Sequence, residues 1–255
     1  MLSFQNLNTY SHLLDENEFF RHYFNPDTRF RYDSNFFQLK FSPSVSEFEL
    51  IEEMQIYFSI ENQLSHIKFY WPDNLGIRPD TLEYLSHQDY KLEKLELLKI
   101  SPESFLSKST PSAITVVEVA ADLMDTLKTI NYIEDLTISE EYATSKGPFY
   151  DDLFADQTVV FYMAFYDNEP AGSCIVSESR QAIEIDDLFT VKEFRQKGVA
   201  TALQQKVMAW AKNQKKPVIL ATDSEGSPIT MYKRQGYESI SFRIGAHKEI
   251  EEDTL

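Results

Sequence analysis

The chain has 255 residues, of which 42% are hydrophobic and 14% aromatic, enough for one large domain or two of ordinary size with a packed core. Its formal net charge is −17, with only 24 Lys and Arg. A surface this acidic repels phosphate backbones, which argues against nucleic-acid binding, and it favours cationic partners or simply keeps the chain in solution.

Taken from the start, Met1 to Arg21 alternates apolar and charged residues and lacks a basic segment followed by an apolar one, so no secretion signal is expected there. No stretch has the length of a membrane span, and a soluble, cytoplasmic protein without a membrane partner is expected. Residues 1–100 are rich in aromatics, with Phe19, Phe20, Tyr23, Phe24, Phe30, Tyr32, Phe36, Phe37 and Phe41 in one short span. In so acidic a chain these read as core or interface rather than as a base-stacking platform. Ile67 to Trp71 is predicted as a strand, Asp80 to His87 as a short helix, and Leu92 to Ile100 as strand-like.

Ser101 to Ser112 (SPESFLSKSTPS) carries no hydrophobic period and is predicted as a linker between an N-terminal α/β domain over 1–100 and a second domain over 113–255. Of the seven glycines only Gly76 precedes it, so sharp functional turns are expected in the second half. There, Ile114 to Val119 reads as a strand and Ala120 to Ile130 as a helix. Glu140 to Phe154 is a weaker helix interrupted at Gly147 and Pro148. Strands follow at Val159 to Tyr166, Ala171 to Ser177 and Ala182 to Thr190, then an amphipathic helix from Val199 to Lys212 with Val199, Leu203, Val207 and Trp210 on one face. Pro217 to Ala221 is a buried strand, Ser227 to Gln235 a short helix closed by Gly236, and Tyr237 to Ile244 a last strand. This order predicts a mixed α/β sheet. The acidic run from Glu249 to Asp253 is expected to be a solvated end.

Residues Arg195 to Ala200 (RQKGVA) stand between a predicted strand and the amphipathic helix. A helix N-terminus exposes unpaired N–H groups and partial positive charge, and a glycine there lets a ligand approach the backbone. Arg195 and Lys197 add formal charge, so the segment is suited to a phosphate or pyrophosphate. A plain strand-to-helix turn is the competing reading of these residues alone. The longer run Leu188 to Ala200 (LFTVKEFRQKGVA), however, resembles the acetyl-CoA-binding motif of the GNAT (Gcn5-related N-acetyltransferase) superfamily, and Met231 to Tyr237 (MYKRQGY) resembles that family's second motif. Ala200 stands where glycine is commoner, and Lys192-Glu193 where many members carry a proline.

The resemblance implies a GNAT fold for 113–255 and an acetyl-CoA-dependent N-acetyltransferase acting on a primary amine of a small molecule, amino acid or protein. The alternative is a non-catalytic acyl-CoA-binding or regulatory module. The resemblance further implies that backbone N–H groups of Gln196, Lys197, Gly198, Val199, Ala200 and Thr201 hold the pyrophosphate, and that the edge Leu188, Phe189, Thr190 pairs with the pantetheine arm. Tyr232 takes the place of the family tyrosine that donates a proton to the departing sulfur. Glu184 lies fourteen residues before Gly198, a spacing similar to that of the base glutamate in histone-type members. Strand alternation puts Glu184 and Asp186 on one face with Leu188 and Thr190, so either carboxylate is a candidate base, with water as the other route for the proton. The acceptor is expected to be cationic. Cys174, the one cysteine, reads as core, and the five histidines show no metal-ligand spacing, so no metal is expected. Finally, Leu85 to Tyr90 (LSHQDY) echoes Tyr232 to Tyr237 (YKRQGY), which points to a degenerate GNAT-like copy in the first half. An unrelated α/β domain is the competing reading.

Overall fold

A computed structural model describes residues 2–107 and 109–250. The acidic run beyond Ile250 lies outside the described residues. The chain divides into two compact units. The N-terminal unit comprises Asn8–Leu97, Thr222–Ser224 and the chain from Ile240 onward; the C-terminal unit comprises Met1–Leu7, Leu98–Ala221 and Glu225–Ser239. The last strand, expected with the second half, is therefore for the most part an element of the N-terminal unit.

In the N-terminal unit, β1 (His12–Glu16), β2 (Phe20–Phe24) and β3 (Phe36–Leu39) form an antiparallel run. Helix α1 (Val45–Glu61) then carries the chain to β4 (His66–Tyr70), which pairs parallel with β3 through Phe37↔Phe69 and Gln38↔Tyr70. Helix α2 (Pro79–His87) and β5 (Lys91–Ile100) follow, and β11 (Glu238–Glu249) pairs antiparallel with β4. Phe20, Phe37, Phe48, Ile51, Phe69, Trp71 and Leu85 make one apolar cluster; of the aromatic span Phe20, Phe36 and Phe37 are buried, Tyr23, Phe24, Phe30, Tyr32 and Phe41 half-buried, and Phe19 exposed. The 17-residue helix α1 was not legible in the sequence: Leu50, Met54 and Tyr57 are exposed while Phe48 and Ile51 are buried, so apolar residues occur all round it.

The C-terminal unit contains β6 (Ile114–Glu118), α3 (Met124–Asp135), α4 (Glu140–Ala155), β7 (Val159–Tyr166), β8 (Glu169–Glu178), β9 (Ile183–Thr190), α5 (Val199–Gln214), the start of β10 (Val218–Asp223) and α6 (Ser227–Arg234). The strands run in the order β10-β9-β8-β7-β6, antiparallel from β9 to β6 and parallel between β10 and β9. This is the mixed α/β sheet that the element order predicts. Helix α4 runs unbroken through Pro148, where an interruption was expected. Val199, Leu203, Val207 and Ala211 bury one face of α5 against Val176, Ile183, Val218 and Leu220. Each large apolar side chain buried in this way stabilises the fold by roughly 1.5–3 kcal/mol. The segment expected as a linker is packed: Phe105 lies against this core, Leu106 N–H donates to Gln235 O at 2.9 Å, and Gln205 bonds both Ser107 and Thr110. Among the described residues no helix is long and apolar enough to cross a membrane.

Candidate active site

The turn into α5 is built from two left-handed residues, Gln196 (φ +63°) and Gly198 (φ +97°). Gly198 is the N-cap; no side chain caps the helix, and its first turn carries no acidic residue. The first helical bond is Ala202 N–H to Gly198 O at 2.9 Å, so the N–H groups from Gly198 to Thr201 have no acceptor within the helix. Together with the partial positive charge of the helix end they form an anion cradle. The glycine was expected to give a ligand room. A Cβ built on it meets Pro111 and Ile114 nearest among protein atoms, at 3.5 and 3.7 Å, and the positive φ itself favours glycine. Arg195 donates to Thr190 O at 3.0 Å and pairs with Glu134 at 2.7 Å, while the Lys197 ammonium lies 4.9 Å from the Tyr166 ring centroid. Gln235 donates to the Thr201 hydroxyl at 3.2 Å.

The second part is the edge of β9. Its parallel register with β10 is Val218↔Ile183 and Ile219↔Glu184 and goes no further, whereas on the other side β8 stays paired with β9 out to Gly172↔Thr190. From Asp186 onward β9 thus leaves its β10 neighbour, beside the α5 cradle. Between Ser173 and Ile175 of β8 the register slips: β9 spends three steps, Phe189 to Asp186, on two of β8. The extra residue forms a bulge with Asp187 in the left-handed region (φ +49°), and Asp186 Oδ1 accepts the Asp187 N–H at 2.8 Å. The bulge corrects the expected alternation. Glu184 and Asp186 keep their common phase, but Leu188 and Thr190 beyond the bulge do not continue it. Gly172 lies where the two strands come close, for a Cβ there would stand 2.5 Å from Phe189 O.

Tyr232 of α6 is buried, with its ring 5.3 Å from that of Tyr237. Burial raises its phenol above the usual range, and the fields of Cys174 and Asp186 add to the effect. It therefore stays protonated throughout the physiological range. Glu184 is also buried, opposite Ser177 on β8 and Ile219 on β10, where the two parallel strands are still joined. Asp186, Leu188, Phe189 and Thr190 are half-buried along the departing edge. Cys174 is buried and its thiol pushed up, as suits a packing residue.

Sequence reasoning missed a polar cluster behind this edge. The buried Lys146 of α4 bonds Asp135 of α3 and Asp187 of β9, each at 2.9 Å. The Tyr150 hydroxyl donates to Asp187 Oδ2 at 2.8 Å and lies 3.1 Å from Asn131 Oδ1, and Asn131 donates to the Ser173 hydroxyl at 3.1 Å. Burial alone would lower Lys146, but Asp187, Tyr142 and Asp135 outweigh it and hold the ammonium above its ordinary value. The cluster fixes the bulge from behind. A lysine in the middle of an otherwise weak amphipathic helix was the one available signal.

Residues 122–237 match the model of the acetyltransferase (GNAT) family, and residues 2–98 match one described only as a domain of unknown function (DUF5613). Comparison with curated proteins gave no match. Among solved structures, a functionally unknown conserved protein from Staphylococcus epidermidis is 22% identical, with 97% of this chain and 98% of that one covered at a TM-score of 0.90. A GCN5-related N-acetyltransferase from Kribbella flavida is 12% identical, with coverage of 90% and 86% and a TM-score of 0.59. A tandem GNAT protein from the clavulanic acid biosynthesis pathway is 10% identical over 79% and 69% of the chains, with a TM-score of 0.54. At these identities the structures speak to fold alone, and the N-terminal region is consistent with a second GNAT-like domain. Residues 122–237 belong to the acetyltransferase (GNAT) family.

Proposed function

We propose that the protein transfers the acetyl group of acetyl-CoA to a primary amine. The observation that carries this reading is the departure of β9 from β10 next to an uncapped helix N-terminus. One feature offers a peptide-like arm a strand edge, and the other offers a pyrophosphate its cradle. In this reading the N–H groups of Gln196 to Thr201 hold the pyrophosphate and Leu188 to Thr190 pair with the pantetheine. The net charge of −17 favours a cationic acceptor, which arrives protonated. With a pKa near 10.4, only about one alkyl amine in a thousand is in the reactive free-base form at neutral pH. Glu184 or Asp186 removes the proton, directly or through water. The nitrogen then forms its bond to the carbonyl carbon while a strand N–H holds the developing oxyanion. The carbon–sulfur bond breaks as Tyr232 donates its proton to the sulfur, and the extra proton on the acylated nitrogen passes through water to restore Tyr232. The raised phenol favours hydrogen-bond donation over early loss of its proton.

The test is to incubate the protein with acetyl-CoA and separate panels of amino acids, polyamines, aminoglycosides and lysine peptides, following CoA thiol release and product mass. Amine-dependent thiol release with an acetylated product is expected. Glu184→Gln should then flatten the rise of kcat/KM with pH if Glu184 carries the proton, whereas a role in attracting cations would raise KM and leave the profile unaltered. Tight acetyl-CoA binding with no product from any panel would instead favour an acyl-CoA-binding module.

A further inference from the structure

Helix α1 of the N-terminal unit turns an apolar stripe outward. Leu50, Met54 and Tyr57 follow one another at spacings of four and three residues, so they share a face, and they are 65%, 50% and 63% exposed. Phe48, Ile51, Gln55 and Ser59 are on the side buried in the unit. The stripe is not a requirement of the fold. Helix α5, the crossover helix of the C-terminal unit, exposes Lys206, Ala209, Lys212, Asn213 and Gln214 and no large apolar side chain. A single exposed leucine is ordinary on a protein surface, whereas three large apolar side chains aligned on one helix are the signature of a face that another surface covers. Methionine and tyrosine are also among the side chains enriched where proteins meet.

Charge decides what covers the stripe. Helix α1 carries five glutamates and no Lys, Arg or His. Glu47 closes the helix N-terminus on Ser44, and the buried Glu52 accepts from Tyr84 and Tyr90 at 2.7 and 2.6 Å. Glu49, Glu53 and Glu61 remain exposed beside the stripe, and among the described residues none of them forms an ion pair. Glu49 and Glu53 stand one turn apart, where like charges weaken a helix and a cation set against both relieves them. A second copy of the chain does not answer this, since a twofold contact through the same face would set these acids against their own copies. A membrane does not answer it either: helices that lie on membranes carry Lys and Arg, and an anionic leaflet repels Glu.

We infer that the outer face of α1 docks a basic amphipathic helix of a partner protein, its apolar side chains packed on Leu50, Met54 and Tyr57 and its Lys or Arg set against Glu49, Glu53 and Glu61. The apolar ridge supplies the packing, and the glutamates beside it fix which helix fits, as charged flanking positions do in paired helices. The inference goes beyond acetyl transfer and does not rest on it, for α1 lies in the N-terminal unit.

The experiment titrates the full chain, at fixed ionic strength and by fluorescence anisotropy, with a labelled helical peptide that has leucine at the a and d positions of its heptads and lysine at e and g. The same peptide with glutamate at e and g is the control. Saturable binding of the lysine peptide and none of the glutamate peptide is expected. Leu50→Ser and Tyr57→Ser change exposed positions only, and each should weaken binding by about tenfold. Glu49→Lys combined with Glu53→Lys should lose the lysine peptide and gain the glutamate peptide, an exchange that general attraction to an acidic surface cannot produce. Failure of the wild type to saturate would overturn the inference. So would lysine-peptide binding undiminished in Leu50→Ser and Tyr57→Ser, or in the paired lysine variant. Sedimentation of the protein alone and flotation with phosphatidylcholine vesicles test the other occupants. A dimer that Leu50→Ser disperses would assign the face to a second copy, vesicle binding that Leu50→Ser abolishes would assign it to a membrane, and either would overturn the basic partner.

Discussion

The two units share one run of elements, from an antiparallel strand group through a crossover helix to a short helix, and differ in how the crossover helix begins and in what the short helix carries near its end. In each, antiparallel strands lead to a parallel crossover: β3–α1–β4 with Phe37↔Phe69, and β9–α5–β10 with Ile183↔Val218. A short helix follows in each and ends alike. Asp89 (φ +59°) and Gly236 (φ +99°) hold the same left-handed place, and the N–H groups of Tyr90 and Tyr237 bond the carbonyls of Leu85 and Tyr232, both at 3.1 Å. The short echo between LSHQDY and YKRQGY is thus a shared helix ending. At the donor position, however, Leu85 stands where the C-terminal unit has Tyr232. The crossover helices begin differently too. At α1, Glu47 accepts from both the N–H and the hydroxyl of Ser44, at 2.8 and 2.7 Å, so its own carboxylate occupies the helix end. At α5 no side chain does so. Packing needs the helix and its cap in both units, whereas an anion would need the N–H groups left open.

The largest effect expected from this contrast is on stability in acid. All five histidines lie in the N-terminal unit, and burial lowers His22 and His66 to about 4, with Asp15 opposing the shift at His22 and an Asn35 backbone bond opposing it at His66. Both are neutral in the fold and titrate near 6.5 when unfolded. Their contribution is complete above pH 6.5 and is lost as the pH falls toward 4, roughly 3 kcal/mol for each. Each unit holds one tryptophan, Trp71 and Trp210. In Trp210→Phe, Trp71 emission should shift red in that pH window, earlier than the Trp210 contribution to the wild-type spectrum. A single coincident transition would contradict the separation.

Next comes Tyr232→Phe, which gives α6 an apolar side chain where α2 has Leu85. It should lower kcat by about 10²–10⁴-fold where chemistry limits turnover, with CoA affinity nearly unchanged, because only the transition state loses the donor. Steady-state kinetics beside a binding titration checks this, and full activity would remove Tyr232 from the mechanism. A smaller effect is expected of Gly198→Val. A β-branched residue at φ +97° strains the cradle whatever the space, and CoA affinity should fall at least tenfold, about 1.4 kcal/mol. Unchanged binding in the folded variant would show that the turn does not hold the pyrophosphate.

Much of the C-terminal unit was legible because its elements keep their periods: β7 was read residue for residue, and α5 and α6 to within two residues at either end. The N-terminal unit was less so. Strands β2 and β3 lie in an aromatic stretch without alternation, and α1 has apolar residues on every side. In the site, the cradle and Tyr232 are local in sequence and could be read from short motifs. The bulge at Asp187 could not, for it depends on register against β8. Nor could the Lys146 cluster, since Asp187 reaches Lys146 across 41 residues of chain. Local chemistry left a trace in the sequence, and long-range pairing did not.

The central claim is that the uncapped start of α5, and not the self-capped start of α1, receives the pyrophosphate. Calorimetry with CoA on three proteins tests it: wild type, Thr201→Glu and Glu47→Gln. Thr201 stands three residues after the N-cap Gly198, as Glu47 does after Ser44, so Thr201→Glu offers α5 the carboxylate that closes α1. The expected result is one CoA site per chain, weakened at least tenfold by Thr201→Glu and unaffected by Glu47→Gln. Undiminished binding in a folded Thr201→Glu protein, or a second CoA site that appears in Glu47→Gln, would contradict it.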